Sequence, residues 1–329
     1  AKDLWGAVCE MGYTAAAMPE EYGGIGSGYL ELCVIAEEIG RAVAPIPFSS
    51  SVYVAAEAIL LCGSKEQKER YLPKLASGEM IGTYAVAEGP HAPAASNLQT
   101  SLSGGKLTGV KIPVADGDIA DIAIVVAKDG ATTSLAIVDL RGAGVSREAV
   151  KTVDPTRSHA RVTFNGALAE LLGSAGKGWE LLQQVFDRAA ILYAFEQLGG
   201  ADACLRMARD YSTERYAFGR PIGSFQALKH RMADMYIKNE LARSNCYFGA
   251  WALSTNAADL PLAAAGARIS ATEAYQFASK ESIQIHGGMG FTWEADCHFF
   301  YRRSKLLALA LGAAGEWKDR LVTQLEQSA

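Results

Sequence analysis

Two segments carry residues whose types and spacing suit the binding of an anion. Thr213–Gln226 holds Arg215, Phe218, Gly219 and Gln226, and Gln284–Phe291 holds Gln284, Ile285, Gly287, Gly288 and Gly290. A diphosphate needs cationic and backbone N–H donors, and glycines let a backbone approach it closely. Arg215, just before the turn at Gly219-Arg220-Pro221, supplies the cation, and Gly287-Gly288 fit close passage of a dinucleotide. Each residue also has a plainer reading. Arg215 pairs with Glu214 in solvent, Phe218 is a core aromatic, Gln226 and Gln284 are exposed amides, and Gly287-Gly288 stop a helix. His230 and His298 have no second ligand at i+3 or i+4, so they do not suggest a metal.

The elements that must position these groups fall into three stretches. Up to residue 81 the pattern is helical, with helices expected over Ser27–Arg41, Val52–Leu61 and Lys65–Leu72, the last capped by Ser64 and ended by Pro73. Residues 82–174 hold short runs rich in β-branched residues between glycine turns: Thr83–Val86, Leu98–Leu102, Lys106–Ile112, Ala120–Ala127, Thr133–Val138 and Ala160–Phe164. They predict an antiparallel β domain of barrel or sandwich size. Residues 175–329 return to helical period, with helices expected at Gly178–Thr213, Phe225–Thr255, Pro261–His286 and Trp293–Glu326. The expected class is therefore α+β: helical domain, β domain, four-helix bundle.

Composition narrows the function. The 329 residues are 50% hydrophobic with net charge −5, and no basic cluster interleaved with aromatics points to nucleic acid. Six cysteines stand singly, without a C-x-x-C pair, and read as buried thiols. No run reaches the ~18 apolar residues of a spanning helix. No secretory pattern opens the chain, so cytoplasm is the default expectation.

Four motifs now agree in order and spacing. Pro19–Gly24, Arg215-x-x-Phe218-Gly219-Arg220-Pro221-Ile222, Phe225-Gln226 and Gln284–Phe291 together resemble the acyl-CoA dehydrogenase family nearly end to end. The resemblance implies a FAD enzyme that desaturates a CoA thioester between its α and β carbons, usually as a tetramer, passing electrons to an electron-transfer flavoprotein. A carboxylate removes the α proton while hydride passes to the flavin. It further implies that Arg215, Phe218, Gln226, Gln284, Ile285, Gly287 and Gly288 reach the diphosphate and adenylate end of a FAD held chiefly by a neighbouring subunit.

The chain departs from the family where the reactive end should be. The Thr-Glu-Pro-Gly-Ala-Gly-Ser-type loop that holds the flavin is replaced by Ala87-Glu88-Gly89-Pro90-His91-Ala92-Pro93, and only Glu88 keeps its place. Two prolines stiffen the loop and remove N–H donors. In the Lys-x-Trp-Ile-Thr/Ser segment, Pro113 and Ala115 replace the aromatic and the hydroxyl. Of the family's two base positions, one is Leu311, within what reads as a continuous helix, and the other is Ala189, followed by Ala190 in place of Arg.

Three readings follow. In the first, the chain is the non-catalytic member of a heteromeric α2β2 acyl-CoA dehydrogenase, completing a FAD site whose base and acyl-CoA belong to a second dehydrogenase-like subunit. Actinobacterial steroid side-chain degradation is a setting the resemblance allows. In the second, the enzyme is self-sufficient with a displaced base, Glu196 first and Glu316 after it. In the third, a flavin-free scaffold keeps only the fold.

Overall fold

The computed structural model describes residues 2–328. Among the described residues nine α-helices and nine strands follow in the expected order, helical, then β, then helical. Backbone contacts divide the chain into two compact units, Ala1–Glu31 with Pro45–Ala189, and Leu32–Ala44 with Ala190–Ala329.

The early helices are α1 (Lys2–Glu10), α2 (Tyr29–Arg41), α3 (Glu57–Cys62) and α4 (Lys65–Ala76). Ser64 caps α4 as expected and forms a full capping box with Gln67. The helix does not stop at Pro73 but runs one turn further, because Leu72, Leu75 and Ala76 are buried and outweigh one missing N–H. The expected helix over Val52–Leu61 is instead a buried π-helix, Ser49–Ala56, continued by α3. Its serines meet polar partners: Ser50 Oγ donates to Asp116 at 2.6 Å, Arg157 donates to Ser49, and Gly82 N donates to Ser51 Oγ.

The sheet holds β1 (Gly82–Ala85), β2 (Ser101–Ser103), β3 (Lys106–Ala115), β4 (Ile122–Asp129), β5 (Thr132–Asp139), β6 (Val145–Ala149) and β7 (His159–Leu172). Pairings β4–β2–β3–β7–β5–β4 close a ring around Val114, Val125, Val138, Val162 and Phe164. Most pairs are antiparallel, but β1 and one residue of β2 run parallel to β4. Strand β6 escapes the hydrophobic signal because it is almost wholly exposed and pairs only with β7.

The last stretch contains α5 (Gly178–Glu214), the hairpin β8 (Tyr216–Ala217) and β9 (Arg220–Pro221), α6 (Gln226–Thr255), α7 (Leu260–His286), α8 (Cys297–Leu309) and α9 (Ala314–Ser328). Ala264, Ala267, Ala271, Ala274 and Ala278 form a buried small-residue stripe on α7. Such a stripe lets neighbouring helices pack closely. The expected continuous helix from Trp293 to Glu326 is broken. Leu311 is left-handed at φ 61° and Gly312 follows at φ 104°, while Arg268 donates to the carbonyls of Leu307 and Ala310 and ends α8. Glu316 accepts from Ala313 N at 3.1 Å and starts α9. A buried guanidinium on one side and a capping carboxylate on the other make the turn.

Candidate functional site

The two motif segments meet at one end of the bundle. Helices α6 and α7 are antiparallel there, joined by the Arg231–Glu281 ion pair and by Lys238 over the Phe277 ring, so the start of α6 lies beside the end of α7. The last turns of α5 join them through Tyr211, whose ring stacks on His286 with centroids 4.4 Å apart. Arg215 is one turn beyond Tyr211, its N–H bonded to the Tyr211 carbonyl at 2.9 Å.

Beyond Arg215 the chain makes the two-residue hairpin β8–β9, with Phe218 at φ 54° and Gly219 at φ 77°. Two successive positive φ angles are what a tight turn joining right-twisted strands requires. Phenylalanine is an unfavourable residue for that conformation, and here it is 95% exposed. A strained, solvent-facing aromatic marks a position kept for something other than the fold. Phe225 meets Phe218 edge-on at 6.2 Å, and Arg220 lies over Phe225 at 4.1 Å.

Arg215 is exposed and forms no ion pair among the described residues, so the pairing with Glu214 does not occur. Gln226 and Gln284 are exposed. Gln226 opens α6 behind Phe225, which offers no side-chain cap, so the first N–H groups of a 30-residue helix stay available. Ile285 is 4% exposed; its side chain packs in the core and leaves only its backbone for a ligand. Gly287 adopts φ 58°, ψ −132°, a region open to glycine alone. A Cβ at either glycine would meet nothing within 4 Å, and Gly288 differs in having no positive φ that demands glycine. The chain's own packing gives no reason for glycine at 288.

The loop after β1 is in the opposite state. Glu88 accepts from Gln99 N at 2.6 Å and Thr100 N at 3.0 Å, and pairs with Lys111 Nζ at 2.8 Å. Lys111 is fully buried and also donates to the Val86 carbonyl at 3.0 Å. Burial pushes the Lys111 ammonium down to about 8, while Glu88 works the other way. Burial alone would raise Glu88, but Lys111 and the two backbone N–H groups hold its carboxyl below the usual range. Val114 and Ala115 pair with Ala160 and His159, and the Ala115 carbonyl accepts from Thr83 Oγ1. Pro90, Pro93 and Pro113 have no N–H to offer.

The positions that should hold a base carry none. Ala189 and Ala190 are fully buried, and Leu311 is 7% exposed. Arg188, next to Ala189, is tied to Glu57, which also accepts from Tyr29 at 2.9 Å. Glu196 is fully buried and pairs with the equally buried Arg303 at 3.4 Å. Its backbone packs so tightly that a Cβ on Gly40 would fall 1.8 Å from the Glu196 carbonyl. Glu316 is engaged in capping α9. All six cysteines are free thiols, and among the described residues no His/Cys/Asp/Glu group suits a metal.

A flavin dinucleotide therefore fits one region and not the other. The bundle end offers an unpaired guanidinium, open amides, free N–H groups and a bare glycine, which suit a diphosphate and adenylate. At the β1 loop Glu88 and Lys111 are satisfied by each other and by nearby backbone, and Pro113 and Ala115 bring neither an aromatic ring nor a hydroxyl. Tyr211, His286 and the Arg231–Glu281 pair carry no local sequence signal of their contacts. Their helical spacing gave no sign that they would meet.

Known proteins resemble this chain over nearly its whole length. The models for the acyl-CoA dehydrogenase N-terminal and C-terminal domains match residues 1–79 and 176–316. The chain is 36% identical over 328 residues to acyl-CoA dehydrogenase IpdE2 of Mycobacterium tuberculosis, covering 99% of this chain and 88% of that one. Among solved structures it resembles a Tcur3481-Tcur3483 steroid ACAD variant at 31% identity and TM-score 0.90, covering 100% of this chain and 89% of the other. It also resembles the ChsE4-ChsE5 complex from Mycobacterium tuberculosis at 28% identity and TM-score 0.88, covering 99% and 88%.

Proposed function

The chain belongs to the acyl-CoA dehydrogenase family, and on that premise we propose that it is the non-catalytic member of a heteromeric enzyme. The family consists of oxidoreductases acting on CH–CH bonds, normally with FAD. The observation that carries the proposal is the contrast between an open Arg215 and a Glu88–Lys111 pair closed on itself. Arg215, Phe218, Gln226, Gln284 and the Gly287-Gly288 backbone would hold the diphosphate and adenylate end of a FAD whose ring sits in a second dehydrogenase-like subunit. Bound FAD supplies hydride-acceptor chemistry for α,β-desaturation.

This chain's own part is electrostatic and steric. The guanidinium and the helix N–H groups neutralise the diphosphate, Phe218 gives an apolar face, and Gly288 lets the backbone come close. Proton abstraction falls to the partner, because Ala189 and Leu311 carry no carboxylate and Glu196 is held by Arg303. An exposed apolar face on α6, with Ile237, Leu241 and Trp251 each more than half exposed, supports association. A relative described as a steroid ACAD supports a steroid thioester as the substrate class, and the family resemblance implies an electron-transfer flavoprotein as acceptor. No helix among the described residues is long and apolar enough to cross a membrane, and a cytoplasmic place accords with that.

Co-expression with a second dehydrogenase-like chain tests the proposal. The expected product has equal subunits and one flavin per pair. One flavin per chain in protein purified alone, with full turnover, would overturn it.

A further inference from the structure

Helix α6 carries two stripes on opposite sides. Met235, Asn239, Ala242, Cys246, Gly249 and Leu253, spaced alternately four and three residues apart, form its buried side. Ile237, Leu241, Ser244, Phe248 and Trp251 repeat the same alternation on the opposite side, and all five are exposed. Leu241 is 61% exposed and Trp251 52%, and the Phe248 and Trp251 rings stack with centroids 5.7 Å apart. One apolar stripe seats a helix on its own core, and a second at coiled-coil spacing is a seam for another helix.

This outer seam reads nearly alike from both ends. Ile237 and Trp251 lie seven residues to either side of Ser244, with Leu241 three before it and Phe248 four after. Laid antiparallel on itself about Ser244, the seam sets Ile237 against Trp251 and Leu241 against Phe248, twice over, with a small side chain at the closest approach. An isologous two-fold contact demands that kind of self-complementarity. Charge points the same way. The first half of α6 carries Lys229, Arg231, Asp234, Lys238, Glu240 and Arg243, whereas Ser244 to Thr255 carries no charged side chain. An antiparallel pair lays each charged half along an uncharged one, while a parallel pair would face every charge with its own kind. Glu240, the one charge bordering the seam, is already paired with Arg243 at 3.4 Å. The seam offers roughly 500 Å² per copy, about 1,000 Å² for the pair, which reaches the low end of specific interfaces.

We propose that a second copy of this chain covers the seam, α6 against α6 and antiparallel, crossing at Ser244. The inference goes beyond the flavin half-site and stands without it, because Gln226 lies about three turns before Ile237. In a heteromer the start of α6 then serves the partner subunit, and its middle joins the two copies.

Ser244→Cys tests the contact in the assembly in which the chain purifies. Oxidation with a copper–phenanthroline catalyst should link two copies of this chain, seen as a homodimer on a non-reducing gel. Lys238→Cys, exposed on the same helix but off the seam, should not link. Leu241→Arg should halve the mass of the assembly in sedimentation, with the circular dichroism and the flavin per subunit unchanged. No link in Ser244→Cys, a link from it to a different subunit, or equal linking of both cysteine variants overturns the proposal, as does an unchanged mass in Leu241→Arg. Should Leu241→Arg fail to fold, the cross-link decides alone. Failure of the half-site reading would appear instead as one flavin per chain and leaves the cross-link result untouched.

Discussion

The loop after β1 and the end of the helical bundle hold similar polar groups in opposite states. Glu88 and Lys111 are an acid and a base that satisfy each other and the neighbouring backbone, with Lys111 fully buried. Arg215, Gln226 and Gln284 are exposed, and Arg215 has no ionic partner among the described residues. A buried charge must be paired or it destabilises the fold, whereas an exposed one is free to meet a ligand. The polar groups of the first region are closed on one another, and those of the second stay open to solvent.

The largest effect expected from this contrast is on stability. Glu88→Gln leaves the Lys111 ammonium buried without its carboxylate and should cost about 3 kcal/mol, read as a lower denaturation midpoint with little change in flavin affinity per folded molecule. A comparable loss of flavin in folded protein would mean that the β1 loop still binds the cofactor. Lys111 also predicts an alkaline signature. Its ammonium titrates at about 8 in the fold, down from 10.5, so between those values the unfolded chain binds more protons. Unfolding free energy should therefore rise with pH across that window, by up to about 3 kcal/mol. The rise should be absent in Lys111→Met.

Binding-side effects are smaller and should leave the fold alone. Arg215→Ala should weaken FAD by about 2 kcal/mol while the thermal midpoint stays within a degree or two. A matching loss of stability would make Arg215 structural and blur the contrast. Gly288→Ala sharpens it most, because a Cβ there meets nothing within the chain. Stability should change by less than about 0.5 kcal/mol, while FAD affinity falls severalfold. Gly290→Ala is the control, since its Cβ would lie 2.6 Å from the Ile283 carbonyl and should damage folding instead.

Local signals made much of the fold legible. Ser64 and Gln67 announced the start of α4, and the β-branched runs announced most strands of the sheet. Strand β6 was invisible because an exposed edge strand carries no hydrophobic alternation. The break at Leu311 carries no local signal, because Arg268, which helps end α8 there, lies on another helix. The candidate residues at the bundle end were legible through their motifs. Their closeness was not, since the Tyr211–His286 stack spans 75 positions of sequence.

By itself the sequence determined which chemical groups are present and which are missing. A side chain's donor capacity is intrinsic, so Pro113, Ala115, Ala189 and Leu311 by their types alone exclude a hydroxyl and a base at those positions. Only the tertiary structure decided which of the remaining polar groups are free. Whether Glu196, Glu88 or Arg215 has a partner depends on residues distant in the chain, because pairing and desolvation act through space. The bundle end earned its place as the candidate site on those grounds: its charge stays open while the others are closed.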